Sequence, residues 1–264
     1  MDFVLSVEAY ELVAHILTLG YAAMAAALLY FVLTIRSNAP RFRISSVLSV
    51  VVMTSALLLL YAQKQSWTEA FMFDGSMYVS NDSADLFTNG YRYLNWLIDV
   101  PMLLIQILFV ATLASRARKS YMTQFFISGP LMIITGYVGQ FYEPGRLAAN
   151  VPAWLIWGAI STVFFIHVLV LITKVIREGS SGMDASGKGL FRKILPLFFI
   201  AWFLYPGAYL MPILLNWGVS FEFMIVAQQL TYTVADISSK IVYGVMLNVT
   251  STRLSEVEGY QQAA

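Results

Sequence analysis

The stretch Asp236-Ile237-Ser238-Ser239-Lys240 lies in the middle of the last apolar segment, so an aspartate and a lysine one helical turn apart are placed at membrane depth. An ionisable side chain at the centre of a bilayer costs about 2.5–3.5 kcal/mol on lenient scales, so such groups are usually paired and functional. Burial also favours the neutral form of an amine, which lets it condense with an aldehyde. Lys240 is therefore predicted to be the centre of an ion-pair cluster and a candidate covalent attachment point.

The composition around this stretch is that of an integral membrane protein. The 264 residues are 59% hydrophobic and 12% charged, and the mean hydropathy is +0.70. Seven apolar segments are each long enough to cross a bilayer, which takes about 20 helical residues. They are predicted at roughly residues 5–35, 43–64, 90–115, 121–142, 151–176, 190–214 and 222–250. We expect one all-α membrane domain over residues 1–264, with the first segment retained as a helix rather than cleaved as a signal peptide.

The basic residues of the loops predict the orientation, because lysine and arginine collect on the cytoplasmic side of a membrane. Twelve of the sixteen fall on one predicted side, in the first, third and fifth loops, their flanks, and the C-terminal segment. The N-terminus is therefore expected outside and the C-terminus inside. The net charge of +1 indicates no nucleic-acid partner, and the absence of cysteine leaves no disulfide framework to consider.

The longest polar segment, from Ser66 to Asn89, separates the second and third spans. It contains two stretches of alternating character, Phe71-Met72-Phe73 and Met77-Tyr78-Val79, on either side of Asp74-Gly75. Alternation interrupted by a turn pair predicts a short β-hairpin between helices 2 and 3, on the outer face.

A polar file is predicted along one face of the third span. Its members recur at spacings of three, four and seven residues and so share one side of a helix: Arg92, Asn95, Trp96, Asp99 and Gln106. With a rise of about 1.5 Å per residue, Asp99 lies slightly outside the midpoint and Gln106 toward the cytoplasm. Asp99 and Asp236 thus lie on the outer side of Lys240 and are its expected counterions.

Plainer interpretations exist for each of these residues. An intramembrane lysine can be a structural ion-pair partner, although two acids and an arginine at matching depth favour a functional site. Gln106 by itself can simply join two helices by a hydrogen bond, and aromatic residues such as Trp202 more often pack than bind a ligand. No cluster of histidine, cysteine or carboxylate residues has the spacing of metal ligands.

Three motifs resemble those of the microbial (type 1) rhodopsins, and the resemblance covers the whole chain. They are Arg92-Tyr93-x-x-Trp96 in the third span, Trp202-x-x-Tyr205-Pro206 in the sixth and Asp236-x-x-x-Lys240 in the last. Within that family, the triplet Asn95, Asp99 and Gln106 is similar to the Asn-Asp-Gln pattern of the light-driven sodium pumps.

The resemblance implies an all-trans retinal cofactor bound as a Schiff base to Lys240. Leu103 stands at the family's colour-tuning position, where an apolar residue implies green rather than blue absorption. The other residues that it implies around the cofactor are Trp96, Trp202, Tyr205, Met132, Gly136 and Ser239. It also implies a multi-pass protein of the bacterial inner (plasma) membrane that forms a homo-oligomer in the lipid bilayer, a pentamer in which His15 faces Asp85 of the neighbouring protomer.

The function implied by the resemblance is an outward light-driven sodium pump, which is a transporter and not an enzyme. Asp99 would accept the Schiff-base proton, because neither Asn95 nor Gln106 can titrate. Ser55 is expected to hydrogen-bond to Asp99, and sodium to rest briefly near Asn95 and Asp236. Candidates for ion uptake are Ser46, Ser49 and Asn248, and candidates for ion release are Glu143 and Gln228.

Other functions remain open from the sequence. A light-driven outward proton pump, or proton pumping when sodium is absent, shares Asp99 with the sodium pump and differs only in the ion that it requires. A photosensor is a less favoured alternative, and a chloride pump is disfavoured because Asp99 would place an anion beside the amine. A cation channel and a non-photochemical transporter are further alternatives.

Overall fold

The computed structural model describes residues 3–81 and 83–260, so the two ends of the predicted 1–264 domain lie outside the described residues. The chain forms long helices that run back and forth. They are α1 (Val7–Thr34), α2 (Arg43–Ala70), α3 (Gly90–Val110), α4 (Ser115–Gln140), α5 (Val151–Gly179) and α6 (Ala185–Leu210). The seventh helix consists of α7 (Phe221–Asp236), a π-helical turn (Ile237–Val242) and α8 (Tyr243–Val257). The predicted all-α fold of seven helices is confirmed.

Within the described residues, five helices are long and apolar enough to cross a membrane by length and composition alone. They are α2, α3, α5, α1 with its 3₁₀ extension (Val7–Ser37) and α6 with its 3₁₀ extension (Ala185–Trp217). α4 begins with the basic stretch Arg116 to Lys119, and the π-helical turn divides the seventh helix into two shorter parts. Helices that follow one another along the chain pack together, and α1 also contacts α7, which closes the bundle.

A small antiparallel sheet covers the predicted outer end. Its strands are β1 (Val4–Leu5), β2 (Phe71–Phe73) and β3 (Tyr78–Ser80), arranged in the order β1-β3-β2. β2 and β3 form the predicted hairpin, and its turn has Gly75 at φ 106°, a region that favours glycine. Hydrogen bonds from the backbone of Met77 and Ser76 lower the pKa of the Asp74 carboxyl in this turn.

The end of α2 differs from the prediction for a packing reason. α2 continues to Ala70 instead of ending near residue 64, because Trp67 is fully buried and its indole stacks on Tyr10 at 5.6 Å. The indole nitrogen of Trp67 also donates to the Tyr10 carbonyl oxygen at 3.3 Å. A polar run at the end of a span therefore stays helical where one face is buried.

Gly244 marks a close approach between the seventh helix and α1. A Cβ at this position would lie 2.7 Å from Phe31 Cζ, and the Phe31 ring is fully buried. We expect Gly244→Ala to lower the free energy of unfolding by about 1–3 kcal/mol, as overpacking does, and to lower the thermal midpoint in detergent. The control is Gly207→Ala in α6, where a Cβ meets nothing within 4 Å. An equal loss in both variants would contradict this account of the contact.

Candidate functional site

Lys240 lies at the centre of a buried ion-pair cluster between α3 and the seventh helix. Its amine contacts the Asp236 carboxylate, and Nζ is 3.9 Å from Asp99 Oδ2. The three side chains are at most 1% exposed. Each charge lowers the cost of burying the others, as the sequence predicted.

Asp236 is fixed by donors from α3, α6 and the seventh helix. Its Oδ1 accepts hydrogen bonds from Trp96 Nε1 at 3.0 Å, from Tyr205 Oη at 2.9 Å and from Lys240 Nζ. Its Oδ2 accepts from Arg92 Nη1 at 2.5 Å. Hydrogen bonds from charged donors are among the strongest in proteins, so Asp236 is a fixed counter-charge.

Asp99 has a different environment, although it is equally buried. Neither of its oxygens has a hydrogen-bond partner among the described residues. Ser55 and Asn95 lie beside it, but Asn95 Nδ2 donates to Ser55 Oγ at 3.0 Å. A direct bond from Ser55 to Asp99 thus stays a prediction. Of the two carboxylates near Lys240, Asp99 is the one with unoccupied acceptor atoms.

Lys240 belongs to the π-helical turn of the seventh helix. Asp236 is the last residue of α7, and Lys240 lies within the turn Ile237–Val242. Such turns are often found at functional sites inside α-helices. Ser239, in the same turn, lies 2.7 Å from Tyr205 Oη, so Tyr205 joins the turn to the Asp236 carboxylate.

A cavity of about 100 Å³ begins at the Lys240 amine and extends between α3, α4, α5 and α6. Its walls are mainly aromatic and aliphatic. Every residue that was predicted to surround a cofactor lines it: Trp96, Leu103, Met132, Gly136, Trp202, Tyr205, Ser239 and Lys240. A Cβ on Gly136 would lie 3.2 Å from Tyr93 Cε1, so a small residue keeps this wall open.

The residues predicted for ion uptake lie together near the start of α2, at the predicted cytoplasmic end. Gln106 Nε2 donates to Ser49 Oγ at 2.8 Å, and Ser46 Oγ donates to Asn248 Oδ1 at 3.1 Å. Sequence reasoning missed Asn38, whose side chain bonds to both Ser46 and Asn248. Its position in a short polar connection gave no sign that its side chain is buried.

The predicted release residues line a second, smaller cavity of about 40 Å³ at the outer end. Glu143 and Gln228 both lie in its wall, and Glu143 Oε1 is 2.8 Å from Arg146 Nη2. Burial raises the pKa of the Glu143 carboxyl, and the charge of Arg146 opposes that shift.

Two buried amides that the sequence did not single out connect this cavity to the central cluster. Arg92 Nη2 donates to Gln229 Oε1 at 3.4 Å, and Gln229 Nε2 donates to Asn89 Oδ1 at 3.0 Å. Asn89 Nδ2 then donates to Gln228 Oε1 at 3.3 Å. A chain of amides thus leads from Arg92 to the outer cavity. Their one sequence signal is the extension of the polar file of α3 by Asn89.

His15 and Asp85 are both exposed near the predicted outer end of the molecule. Their pairing involves a second copy of the chain and therefore stays a prediction, as does the pentamer.

Seven helices around an apolar cavity that ends at a buried lysine define the class of microbial rhodopsins. Residues 11–254 match the family model described as bacteriorhodopsin-like protein, so the chain belongs to the bacteriorhodopsin-like family.

Known relatives and solved structures agree with this placement. The chain is 27% identical over 157 residues to a bacteriorhodopsin-II-like protein of Haloquadratum walsbyi, a match to 59% of this chain and 58% of that one. It is 26% identical over 160 residues to a green-light absorbing proteorhodopsin of a gamma-proteobacterium, covering 60% and 59% of the two chains. These matches span less than two thirds of the relatives' lengths.

The solved structures cover the chain more fully. Xanthorhodopsin, described as a light-driven ion pump with dual chromophore, has a TM-score of 0.87 and 28% identity over 99% of this chain and 100% of that one. A thermophilic rhodopsin has a TM-score of 0.86 and 28% identity over 98% and 100%.

Retinal, bound as a Schiff base to a lysine, is the cofactor of this family, and the residues present fit it. Lys240 provides a buried amine at one end of an apolar cavity, and Gly136 leaves room beside Tyr93. The unpartnered oxygens of Asp99 provide a counter-charge next to the nitrogen. The family therefore confirms the predicted retinal cofactor, and the residues that line the cavity fit it.

Proposed function

We propose that the chain is a light-driven pump that moves sodium ions outward across the bilayer. Retinal, when bound to Lys240, would supply the absorption of light, and the Lys240 nitrogen would release its proton after excitation. All other steps belong to side chains of this protein.

Asp99 is the proton acceptor of the proposed pump. It lies 3.9 Å from the Lys240 nitrogen and has unoccupied acceptor atoms, whereas Asp236 is saturated by donors. Proton transfer to Asp99 removes the positive charge at Lys240. Two unit charges about 4 Å apart repel by roughly 4 kcal/mol at an effective dielectric of 20, so this transfer opens the midplane to a cation.

The distribution of buried charge is the observation that supports sodium as the transported ion. The buried charged side chains of residues 3–81 and 83–260 are Arg92, Asp99, Glu143, Asp236 and Lys240. All of them lie at the depth of Lys240 or on the predicted outer side. The buried polar groups on the predicted cytoplasmic side, such as Gln106, Ser49 and Asn248, are amides and hydroxyls. These groups cannot titrate, but their oxygen atoms are the ligands that hard cations prefer.

The outer half offers a path for the released ion. Asn95 Oδ1 is buried without a hydrogen-bond partner, and the negative charge of Asp236 lies on the same side of Lys240, so sodium rests near both residues with Asn95 Oδ1 as the free ligand. Return of the proton to the Lys240 nitrogen then blocks backward movement. The amides of Gln229, Asn89 and Gln228 lead onward to Glu143 in the outer cavity. As part of the same proposal, the pump is a homopentamer of the bacterial inner membrane with His15 and Asp85 at the subunit boundary.

Outward proton pumping is the second candidate function. It is supported by Asp99, whose acceptor atoms can take up a proton whatever ion is present. The two functions therefore differ in whether light-driven transport requires sodium.

Light-induced pH changes in cells that express the chain with retinal test the proposal. The cells are suspended in sodium chloride and then in potassium chloride, each with and without a protonophore. Outward sodium pumping is expected to alkalinise the medium in sodium chloride, by passive proton inflow that the protonophore increases. Acidification that the protonophore abolishes in both salts would show a proton pump instead.

A further inference from the structure

Asn38 belongs to the short connection between α1 and α2, yet its side chain is fully buried among α1, α2 and α8. Its Nδ2 donates to Ser46 Oγ at 2.8 Å and to Asn248 Oδ1 at 2.7 Å. Its Oδ1 accepts from Thr252 Oγ1 at 2.9 Å. The loop between two helices therefore inserts a carboxamide into the polar network where sodium uptake is proposed.

The carboxamide nitrogen of Asn38 donates to two oxygen atoms that also contact each other, because Ser46 Oγ donates to Asn248 Oδ1 at 3.1 Å. Asn248 is held in place because its Nδ2 donates to Tyr30 Oη and Thr34 Oγ1, both at 3.2 Å, which leaves its Oδ1 facing Asn38. Ser46 Oγ faces the same carboxamide nitrogen from α2. Fixed oxygens that converge on one point form part of a coordination shell for a hard cation, and the amide hydrogens of Asn38 fill it.

Further unpartnered polar atoms lie about one helical turn along the chain from Asn248 or are held by a residue one turn from Ser46. Ser45 and Ser49, one turn apart on α2, hold the Gln106 amide through its Nε2, which leaves Gln106 Oε1 buried without a partner. Ser251 Oγ on α8 is also buried and unpartnered. An ion that displaced the Asn38 carboxamide would find an oxygen of Gln106 next on the way toward Lys240.

The C-terminal segment fastens the loop that bears Asn38. Arg43 Nε donates to the Asn38 carbonyl oxygen at 3.0 Å, and Arg43 Nη2 donates to Tyr260 Oη at 2.8 Å. Tyr260 Oη in turn donates to the Arg36 carbonyl oxygen at 3.1 Å. Ala39 N donates to Ser255 Oγ at 2.9 Å. These bonds hold the loop against the end of the seventh helix.

We propose that Asn38 is a gate residue, whose carboxamide occupies a cation site formed by Ser46 Oγ and Asn248 Oδ1 and withdraws when an ion enters. Arg43 and Tyr260 are positioning residues that hold the loop closed. The inference rests on the proposed sodium transport, and it names Asn38 as the residue that controls ion entry from the cytoplasmic side.

Sodium binding in the dark tests the gate without relying on transport. Purified pigments are titrated with radioactive sodium without illumination. Removing two hydrogen bonds that compete with the ion is expected to tighten sodium binding about tenfold in Asn38→Ala. The double variant Asn38→Ala/Asn248→Ala should lose that gain, because one of the two oxygens is gone. The control is Asn216→Ala, an exposed asparagine at the opposite end of the bundle, which should bind sodium as the unaltered chain does.

Transport gives the second readout. The internal sodium concentration for half-maximal pumping is expected to fall about tenfold in Asn38→Ala. It should change in the same direction but less in Tyr260→Phe, which keeps the ring and loses the two bonds of Oη.

Unchanged binding and unchanged half-saturation in Asn38→Ala, with an intact absorption band, would overturn the gate alone. If Asn38→Ala forms no pigment, unchanged values in Tyr260→Phe would overturn it. If the unaltered chain moves no sodium in light while dark binding still tightens, the proposed function fails and the cation site stands.

Discussion

Lys240→Ala is expected to give a folded protein with no visible absorption band and no light-driven ion movement. The cavity offers retinal one amine, and alanine provides no nucleophile for the Schiff base. The helices should persist, because Asp236 keeps its bonds from Arg92, Trp96 and Tyr205. Absorption after adding all-trans retinal measures the effect, and circular dichroism checks the fold.

Lys193→Ala is the matched control for this prediction. Lys193 is exposed at the predicted cytoplasmic end of α6, so its replacement should leave both pigment and transport unchanged. A pigment that survived in Lys240→Ala would remove Lys240 from the attachment site and require another amine.

Asp99→Asn is expected to keep a pigment, shift its absorption to longer wavelength and stop transport. The substitution removes a negative charge 3.9 Å from the Lys240 nitrogen, and a charge at about 4 Å contributes roughly 4 kcal/mol at an effective dielectric of 20. The nitrogen then has no nearby proton acceptor, so the midplane stays blocked. The absorption maximum and the light-induced pH change in sodium chloride measure both effects.

The comparison variant is Asp236→Asn, which should fail in a different way. It leaves the buried Arg92 without its anion, and breaking a buried ion pair typically costs about 3–5 kcal/mol of stability. We therefore expect a loss of pigment stability in Asp236→Asn and a loss of transport alone in Asp99→Asn. Full pumping in Asp99→Asn would exclude it as the acceptor.

The sequence was enough to predict the membrane class and the hairpin, because each leaves a periodic pattern, whereas the residues of the central cavity were implied by the resemblance to the microbial rhodopsins. Helical spacing brought Arg92 and Asp99 to one face, and a run of apolar residues revealed each span. The positions of Asp99 and Asp236 alone could not separate their environments, since both are acidic residues at similar depth; the acceptor role of Asp99 came from the resemblance. That difference depends on which donors from α6 and α3 reach each carboxylate.

Other features depend on contacts between residues far apart in the chain. The strand Val4–Leu5 is too short for a pattern and exists because it pairs with Tyr78 and Val79. Asn38 looked like an ordinary loop residue, and only the approach of α8 makes it part of a buried network. The end of α2 was placed too early because Trp67 finds its packing partner in α1.

The π-helical turn at Ile237–Val242 has a consequence for the seventh helix as a whole. A π-helical turn contains more residues than an α-helical turn, so the side chains after it are rotated relative to the register that one uninterrupted α-helix would impose. The outer half is thus aimed at Arg92 through Asp236, and the inner half at Asn38 through Asn248 and Thr252. The side chains of the outer half and those of the inner half are therefore not bound to one common α-helical register.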